Sequence, residues 1–414
     1  MPTSRPHRTE IPPTAGLPPR CGDLWPLPPR QGGLEREAAA FIGVDEVQAE
    51  CSGTAALVVA LTALHRLVGR RVVVAPAFTC PLVAIAVAHC GLELRLCDLA
   101  PGSIDLDEDA LARACDRDVL AVLPTHLGGR VADVAAAVER ARAVGAFVVE
   151  DAAQALGARR DRRSVGLEGD AGFFSLAVGK GLTTYEGGLL VSTDASLRRE
   201  LRRTSRDIVA WRPGWELRRS FELLGYHAFY RPSLLRLAYG LPLRRALRRG
   251  DVVAAVGDDF PLRIPLHRLG RWRRNVGAHA FARLPAFVAD CRLRAIRRCA
   301  RLATIPGVAV IGDPAGADGS WPFLLLKLPD PSVRDAILAR LWSEGRGVSR
   351  LFVHALPDYA YLRGVVGDAD VPNARRFAAT TLTISNSPWL DEADFDAVCA
   401  VIAHQLQRLD AGAC

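Results

Sequence analysis

The chain has 414 residues, 50% hydrophobic and 24% charged, which is the ordinary balance of a folded protein with a sizeable core. This composition excludes a disordered or collagen-like chain, and no segment repeats at a fixed period. The ten cysteines include no Cys-x-x-Cys pair, which argues against a zinc ribbon or a redox motif. We therefore expect reduced thiols, no metal site and a cytoplasmic location.

The net charge of +8 is concentrated in one segment. Between Arg198 and Arg249, 14 arginines stand against four acids, so the rest of the chain is slightly acidic. A charge run of this kind is most often a solvated face. It also fits an anionic ligand or an anionic membrane surface, so an arginine-rich membrane or nucleic-acid binder is one alternative for the function.

Hydrophobic patterns in the first half alternate between helix and strand. Residues 1–30 are rich in proline and predict an extended arm without the apolar core of a signal peptide. Helices are predicted over 51–67, 81–91, 105–115 and 132–145, and strands over 70–76, 93–99, 119–125, 146–151, 170–176 and 187–192. This order predicts an α/β fold with a mostly parallel sheet flanked by helices, which binds ligands at the carboxyl ends of its strands.

The second half predicts a smaller α+β domain. Its elements are a long helix over 280–303, a strand over 323–328, and helices over 333–345 and 391–409. We expect three parts in the chain: an arm of residues 1–30, a large ligand-binding domain of residues 31–255 and a small domain of residues 256–414. The large domain includes the basic insertion at about 192–255, which proline and glycine break into short helical pieces.

Only two of the 53 basic residues are lysines, Lys180 and Lys327. A position that needs only positive charge can be arginine, whereas a Schiff base needs a primary amine that loses its proton. Lys327 lies in an apolar strand-like run, where a single lysine is commonplace. Lys180 lies between two glycines in a loop after an apolar strand, which is where chemistry is usually placed.

Three further groups stand at predicted strand or helix ends. They are the Ser52 to Ala55 segment, which opens a helix with glycine and free backbone N–H groups, Asp151, and Ser175. Taken singly, each has an ordinary explanation as an N-cap, a surface turn or a buried hydroxyl. Together with Lys180 they supply what pyridoxal phosphate needs: donors for its phosphate, a carboxylate for its ring nitrogen and an amine for its aldehyde.

The sequence resembles the DegT/DnrJ/StrS family of pyridoxal-phosphate sugar aminotransferases, of the aspartate-aminotransferase fold type I. The most specific matches are EDAAQALGA at residues 150–158 and SLAVGKGLTTYEGG at residues 175–188. The resemblance runs from about Gly33 to the C-terminus and includes DVPNARRFAATTLTISNSPWLDEADFDAV at residues 370–398.

The resemblance assigns roles to individual residues. It implies that Lys180 is the Schiff-base lysine and general base, and that Asp151 is the partner of the pyridinium nitrogen. It also implies that Gln154 bonds to the ring face or the phenolic oxygen. The implied phosphate contacts are Gly53, Thr54, Ala55 and Ser175, and the implied substrate contacts are His126, Tyr185 and His354. A plain structural role remains the alternative for the two histidines.

The chain departs from the family pattern at three places. Cys80 stands where family members commonly have an aromatic residue that stacks on the cofactor, and strand alternation points Phe78 away from Thr79. The asparagine that the family supplies from the neighbouring subunit has no clear counterpart, and Asn275 or a nearby arginine is the candidate. The basic insertion is longer than the usual family connection, and we expect it to shape the acceptor site, the dimer surface or a membrane contact.

The resemblance implies transfer of an amino group from glutamate to a nucleotide-linked keto-sugar, for amino sugars of a surface polysaccharide or a secondary metabolite. It also implies a homodimer with no nucleic-acid partner. The placement of charge adds the expectation that arginines between Arg198 and Arg249 bind the acceptor's diphosphate or touch a membrane. Alternatives are a catalytically idle, regulatory family member and the related dehydratase branch, against which Lys180 argues because that branch has histidine there.

Overall fold

The computed structural model describes residues 9–29 and 32–412. Among these residues, no helix is both long enough and apolar enough to cross a lipid bilayer. The strands, in chain order, are β1 (Gln48–Glu50), β2 (Val72–Pro76), β3 (Glu93–Cys97), β4 (Val119–Val122), β5 (Phe147–Asp151), β6 (Arg159–Arg160), β7 (Arg163–Ser164), β8 (Ala171–Ser175), β9 (Gly188–Val191), β10 (Ala309–Val310), β11 (Ala317–Asp318), β12 (Phe323–Lys327), β13 (Val348–Ser349) and β14 (Thr381–Ser385).

The helices alternate with the strands in the first half and predominate after residue 194. They are α1 (Leu34–Ile42), α2 (Gly53–Val68), α3 (Pro81–His89), α4 (Glu108–Ala114), α5 (Val134–Val144), α6 (Ala195–Ile208), α7 (Pro213–Phe229), α8 (Pro232–Leu235), α9 (Leu241–Arg248), α10 (Val252–Val256), α11 (Arg271–Phe281), α12 (Leu284–Leu302), α13 (Pro331–Leu341), α14 (Pro372–Thr380) and α15 (Glu392–Gly412).

A seven-stranded sheet forms the centre of the first half, in the order β1-β9-β8-β5-β4-β2-β3. The pairs from β3 through β8 are parallel, while β9 and β1 at the edge run antiparallel to their neighbours. β2, β4, β8 and β9 are buried along their whole length, as expected for a sheet with helices on both faces. The predicted mostly parallel α/β sheet is therefore confirmed.

The local sequence explains where the helices of this layer begin and end. Ser52 caps α2 by accepting the N–H of Ala55 at 2.9 Å, and Gly69 ends the helix in the left-handed conformation with φ of 71°. Almost every residue in the first three turns of α2 is buried, so its apolar run packs on all sides. The N-terminus of α2 is thereby fixed at the carboxyl edge of the sheet.

A second, antiparallel sheet of order β10-β12-β14-β13 lies in the C-terminal half and is covered by α12, α13 and α15. The long helix predicted over 280–303 corresponds to α12, and only its first residues were placed wrongly. They belong to the end of α11, and a break at residues 282–283 separates the two helices, before Pro285 in the first turn of α12. Proline is tolerated in a first turn but not in a helix interior, which explains the break.

The described part of the N-terminal arm is extended apart from a short 3-10 helix at Cys21–Leu24, and it packs on the body of the protein. Ile11, Ala15 and Leu17 are buried, and Leu17 donates its N–H to the carbonyl of Gly181 at 2.8 Å. Gly16 also forms a parallel bridge with Gly181. The arm therefore supports the loop that follows β8; the prediction for residues 1–8 lies outside the described residues.

Candidate active site

The loop between β8 and β9 presents Lys180 on a tight turn. Gly179 and Gly181, on either side, have φ of 80° and 82°, in the left-handed region that favours glycine. The backbone N–H of Lys180 donates to the carbonyl of Ala177 at 3.2 Å, which closes the turn. The two glycines noted in the sequence therefore allow the chain to turn sharply at Lys180.

The Lys180 amine lies near the thiol of Cys80 and the carboxylates of Asp151 and Asp258. Burial lowers the pKa of Lys180, and the charges of Asp151 and Asp258 act in the opposite direction. These residues come from four separate stretches of the chain. The structure therefore brings Lys180, Asp151 and Cys80 together, as the sequence predicts, and adds Asp258.

Asp151 lies at the carboxyl end of β5 and is 4% exposed. Its Oδ1 accepts the N–H of Ala153 at 3.0 Å, and its carbonyl accepts the N–H of His126 at 2.9 Å. Burial raises the pKa of Asp151, and the Ala153 hydrogen bond and the charge of Lys180 oppose that rise. A buried carboxylate with one backbone donor is suited to a cationic partner such as a protonated ring nitrogen.

His126 and Glu150 form a buried pair next to Asp151. The His126 Nε2 lies 3.0 Å from Glu150 Oε2, and its Nδ1 accepts the N–H of Ala132 at 3.1 Å. Since both ring nitrogens have protein partners, the structure gives His126 a supporting position, and its predicted contact with substrate stays a prediction.

Glu150 also accepts the backbone N–H groups of Gly166, Glu168 and Gly169 at 2.6–2.7 Å. Burial acts to raise its pKa, but the hydrogen bond and charge of His126 and the backbone donors outweigh burial and lower the pKa. Glu150 thereby ties the 166–169 loop to the strand that ends in Asp151.

The predicted phosphate contacts meet where α2 packs against β8. A Cβ built on Gly53 would lie 3.0 Å from the Cβ of Ser175, so these two residues are in direct contact. The Ser175 Oγ accepts the N–H of Ala177 at 3.2 Å and sits at the end of its strand. The first-turn N–H groups of Gly53 and Thr54 and the Ser175 hydroxyl form a set of donors suited to an anion.

These residues fit pyridoxal phosphate on the structure's own geometry. The anion donors stand at the start of α2, and the buried carboxylate of Asp151 at the end of β5 and the amine of Lys180 in the loop after β8 act on each other. In addition, the Oγ1 of Thr79 is buried with no partner among the described residues, and it adjoins Cys80. An unpaired buried hydroxyl beside this cluster is consistent with a polar ligand there.

Cys80 stands at the N-cap of α3, and burial raises the pKa of its thiol to about 12, so it is a neutral group at physiological pH. Phe78 does not replace the missing aromatic. It is buried between Phe352 and Phe377, with ring centroids 5.5 and 5.2 Å away. The alternation argument made from the sequence agrees with this placement.

Gln154 and Asn275 are both engaged within their own chain. The Gln154 Oε1 accepts the N–H of Gly128 at 2.7 Å, which supports the turn after His126. Asn275 is buried on α11, and its Nδ2 donates to the carbonyl of Pro26 in the N-terminal arm at 2.5 Å. The predicted cofactor contacts of both residues stay predictions.

Tyr185 lies in the same loop as Lys180, between β8 and β9, and His354 lies between β13 and α14. Tyr185 has φ of 68°, an uncommon value for a non-glycine residue, and its ring lies 5.8 Å from the guanidinium of Arg219. The His354 ring contacts Tyr359 edge-on at 5.2 Å, and burial lowers its pKa. The predicted substrate contacts of Tyr185 and His354 also stay predictions.

Asp258 is the site residue that sequence reasoning missed. It is 4% exposed, and its Oδ2 accepts the hydroxyl of Tyr359 at 2.7 Å and the N–H of Val353 at 2.9 Å. Burial raises its pKa to about 6, and the hydrogen bond from Tyr359 and the charge of Lys180 oppose the rise. No sequence motif marks it, since its partners lie about a hundred residues further along the chain.

The basic insertion is attached to the end of the Lys180 loop through buried ion pairs. Arg273, fully buried, donates to both carboxylate oxygens of Glu216 at 2.9 and 2.5 Å and to the carbonyl of Glu186 at 2.5 Å. Arg219 pairs with Glu186 and Glu222. Sequence reasoning also missed these pairs, which fix α7 against residues 184–186.

Comparison with known proteins identifies this architecture. Residues 23–219 match the model of the DegT/DnrJ/EryC1/StrS aminotransferase family. This match covers slightly less than half of the chain, and over these residues the protein is similar to the family. The resemblance to this family, fold type I and pyridoxal phosphate as cofactor, which were predicted from the sequence, are confirmed by the comparisons.

Individual relatives match over different lengths. MosB of Rhizobium meliloti is 38% identical over 169 residues, which are 41% of this chain and 33% of MosB. The dTDP-4-dehydro-2,3,6-trideoxy-D-glucose 4-aminotransferase of Saccharopolyspora spinosa is 27% identical over 92% of both chains. The crystal structure of the aminotransferase TlmJ from Streptoalloteichus hindustanus superimposes with a TM-score of 0.69 at 25% identity, covering 91% of this chain and 90% of TlmJ.

Proposed function

We propose that this protein is an aminotransferase that moves an amino group from an amino acid, glutamate, to a keto-sugar carried on a nucleotide. The observation that carries the proposal is the meeting of Lys180 and Asp151 at one edge of the sheet, where Gly53 contacts Ser175. Fold alone supports many activities, whereas this set of side chains matches one cofactor and its chemistry.

Each of these residues has a specific task. The first turn of α2 and Ser175 would bind the phosphate, and Asp151 would hold the ring nitrogen in its protonated form. When bound, pyridoxal phosphate supplies an electron sink for the Cα–H bond of the donor. The lowered pKa of Lys180 increases the fraction of neutral amine, which lets this residue accept and return a proton at that carbon.

The nucleotide-linked acceptor is supported by the Saccharopolyspora spinosa relative, a 4-aminotransferase of a dTDP-linked keto-sugar that matches over nearly the whole chain. The expected contact between the diphosphate and arginines of the insertion stays a prediction. Among the arginines of the insertion, Arg219 lies against the Lys180 loop. Its charge is balanced there by Glu186 and Glu222.

A homodimer is part of the proposal. The proposal of a dimer comes from the family resemblance, and α11, which carries Asn275, lies beside the Lys180 loop through the contacts of Arg273. Sedimentation equilibrium at micromolar concentration should give twice the chain mass, and an active monomer would refute this part.

The experiment that tests the function is a coupled assay. Glutamate and a nucleotide-linked 4-keto-6-deoxy sugar are supplied with pyridoxal phosphate, and 2-oxoglutarate and the aminated sugar are measured. The proposed function predicts both products in equal amounts for the wild type and for Lys327→Arg, and neither for Lys180→Arg. Turnover with a neutral keto-cyclitol but none with any nucleotide-linked sugar would contradict the proposed acceptor.

A further inference from the structure

The helices α7, α8 and α9 form a helical hairpin, here defined as residues 211–249. Its inner side is anchored by a small apolar cluster in which Leu223, Tyr226, Tyr230 and Leu235 pack with Val276 of α11. Leu243 of α9 packs into the core of the C-terminal half. The hairpin is therefore a fixed part of the fold, and the residues on its outer side are held in place.

The outer side of this hairpin exposes many large apolar side chains. Seven of them are between 41% and 64% exposed: Trp211, Leu217, Phe221, Leu224, Phe229, Leu237 and Leu241. Leu217, Phe221 and Leu224 are spaced by four and three residues and so lie on one face of α7. Leu237 and Leu241 are likewise one helical turn apart. Single exposed apolar residues are ordinary, but such a concentration indicates an interaction surface.

The charge of the same outer side is positive. Six exposed arginines have no acidic partner among the described residues: Arg212, Arg231, Arg236, Arg245, Arg248 and Arg249. The two acids of the hairpin are already neutralised, since Glu216 binds Arg273 and Glu222 binds Arg218 and Arg219. The surface therefore combines exposed leucine, phenylalanine and tryptophan with unbalanced arginine.

We propose that this surface binds the interface of an anionic lipid bilayer. Exposed apolar side chains enter the headgroup region, and arginines bind lipid phosphates, which is the pattern of an interfacial helix. A symmetric contact between two copies of this surface would place unpaired arginines against each other, which charge repulsion opposes. A nucleic acid would use the arginines but would leave the aliphatic side chains of Leu217 and Leu224 without a partner.

This surface is separate from the proposed chemistry of Lys180, so it can be tested without an activity assay. Purified protein is sedimented with large unilamellar vesicles of phosphatidylcholine alone or of phosphatidylcholine and phosphatidylglycerol in a 7:3 ratio, at 100 and 500 mM NaCl. The proposal predicts binding to the anionic vesicles at low salt, at least tenfold weaker binding to neutral vesicles, and release at high salt. Equal binding to both vesicle types, or none to either, would overturn it.

Two triple variants separate the apolar and the charged contributions. Leu217→Ser with Phe221→Ser and Leu224→Ser should weaken vesicle binding at least tenfold. Arg245→Gln with Arg248→Gln and Arg249→Gln should weaken it by roughly fivefold for each arginine removed. Circular dichroism verifies folding for each.

Matched changes elsewhere on the surface serve as controls. Leu293→Ser with Ile296→Ser replaces exposed apolar residues of α12, and Arg113→Gln with Arg140→Gln and Arg142→Gln replaces exposed arginines of α4 and α5. Both should bind vesicles like the wild type. The idea fails if these controls lose binding equally. It also fails if the Leu217, Phe221 and Leu224 variant instead breaks a dimer in solution, or if the arginine variant loses binding to duplex DNA while vesicle binding is unchanged.

Discussion

Gly53 and Ser175 touch so closely that a methyl group on Gly53 would lie 3.0 Å from the Cβ of Ser175. One residue opens α2 and the other ends β8, so this contact joins the two halves of the proposed phosphate site. A separation this short is tighter than an ordinary van der Waals contact, and Ser175 is 8% exposed, so neither side can move freely.

Gly53→Ala should therefore weaken cofactor binding by at least tenfold, because the added methyl group pushes Ser175 and the first turn of α2 apart. Spectroscopic titration of the apoprotein with pyridoxal phosphate measures the affinity. Gly225→Ala is the control, since a Cβ there meets no atom within 4 Å and alanine favours a helix. Wild-type affinity in Gly53→Ala would place the phosphate elsewhere.

Asp151→Asn should lower kcat by at least a hundredfold while the fold and phosphate binding are kept. Asparagine preserves the shape and can still accept the N–H of Ala153, but it removes the charge that keeps a ring nitrogen protonated. The measurement is single-turnover kinetics of the donor half-reaction at saturating glutamate. If this variant turned over at the wild-type rate, a different carboxylate would have to keep the ring nitrogen protonated, and Asp258 would be the first candidate.

Tyr359→Phe should raise the pKa of Asp258 and so shift the acid limb of the pH profile of kcat/KM to higher pH. Burial raises the pKa of Asp258 to about 6, and the Tyr359 hydroxyl, which stabilises the carboxylate, opposes that rise. Removing the hydroxyl raises the pKa further, so the acid limb of kcat/KM near pH 6 should shift to higher pH, and Asp258→Asn should abolish it. Tyr361→Phe is the control because that hydroxyl binds the backbone carbonyl of Asp258. An acid limb that is unchanged in Tyr359→Phe would exclude Asp258 from the reaction.

Glu150→Gln should lower the free energy of unfolding by about 2–4 kcal/mol at pH 7, because a charged acceptor of three backbone N–H groups and His126 is lost. The folded-state pKa of Glu150 is lowered from 4.5, so its contribution is complete above that pH and is lost as the pH falls through the folded-state value. Urea unfolding of both proteins from pH 7 to pH 3.5 should show the difference shrinking only at the acidic end. If the difference in unfolding free energy between the two proteins stayed constant with pH, Glu150 would not be the charged acceptor described here.

The parts of the fold and of the site that could be predicted are those that follow from hydrophobic periodicity, from the ends of strands and from residue composition. The alternation of apolar helices and strands predicts the order from α2 to β5, followed by β8 and β9, but not the short strands β6 and β7. The carboxyl ends of β5 and β8 supply Asp151 and Ser175. Lys180 stands out because arginine fills almost every other basic position. The element order and the strand ends depend on a few adjacent residues, and the Lys180 signal depends on composition, so none of them needs a tertiary contact.

The missed features depend on contacts between distant segments. Asp258 becomes a site residue only because Val353 and Tyr359 fold onto it, and its sequence neighbourhood resembles any polar turn. The prolines predict an extended arm but not where it packs, and the burial of Ile11 and Leu17 fixes it against Gly181. The two-residue break between α11 and α12 was missed because the apolar period continues across it.

The most direct test of the central claim is the covalent attachment of pyridoxal phosphate to Lys180. Wild-type protein and Lys327→Arg, incubated with the cofactor and reduced with borohydride, should each carry one cofactor on the peptide that contains Lys180, as read by mass spectrometry. Lys180→Arg should carry none, although its folded-state spectrum and its weak phosphate-dependent binding of the cofactor remain. A reduced cofactor on Lys327, or any attachment that persists in Lys180→Arg, would contradict the account.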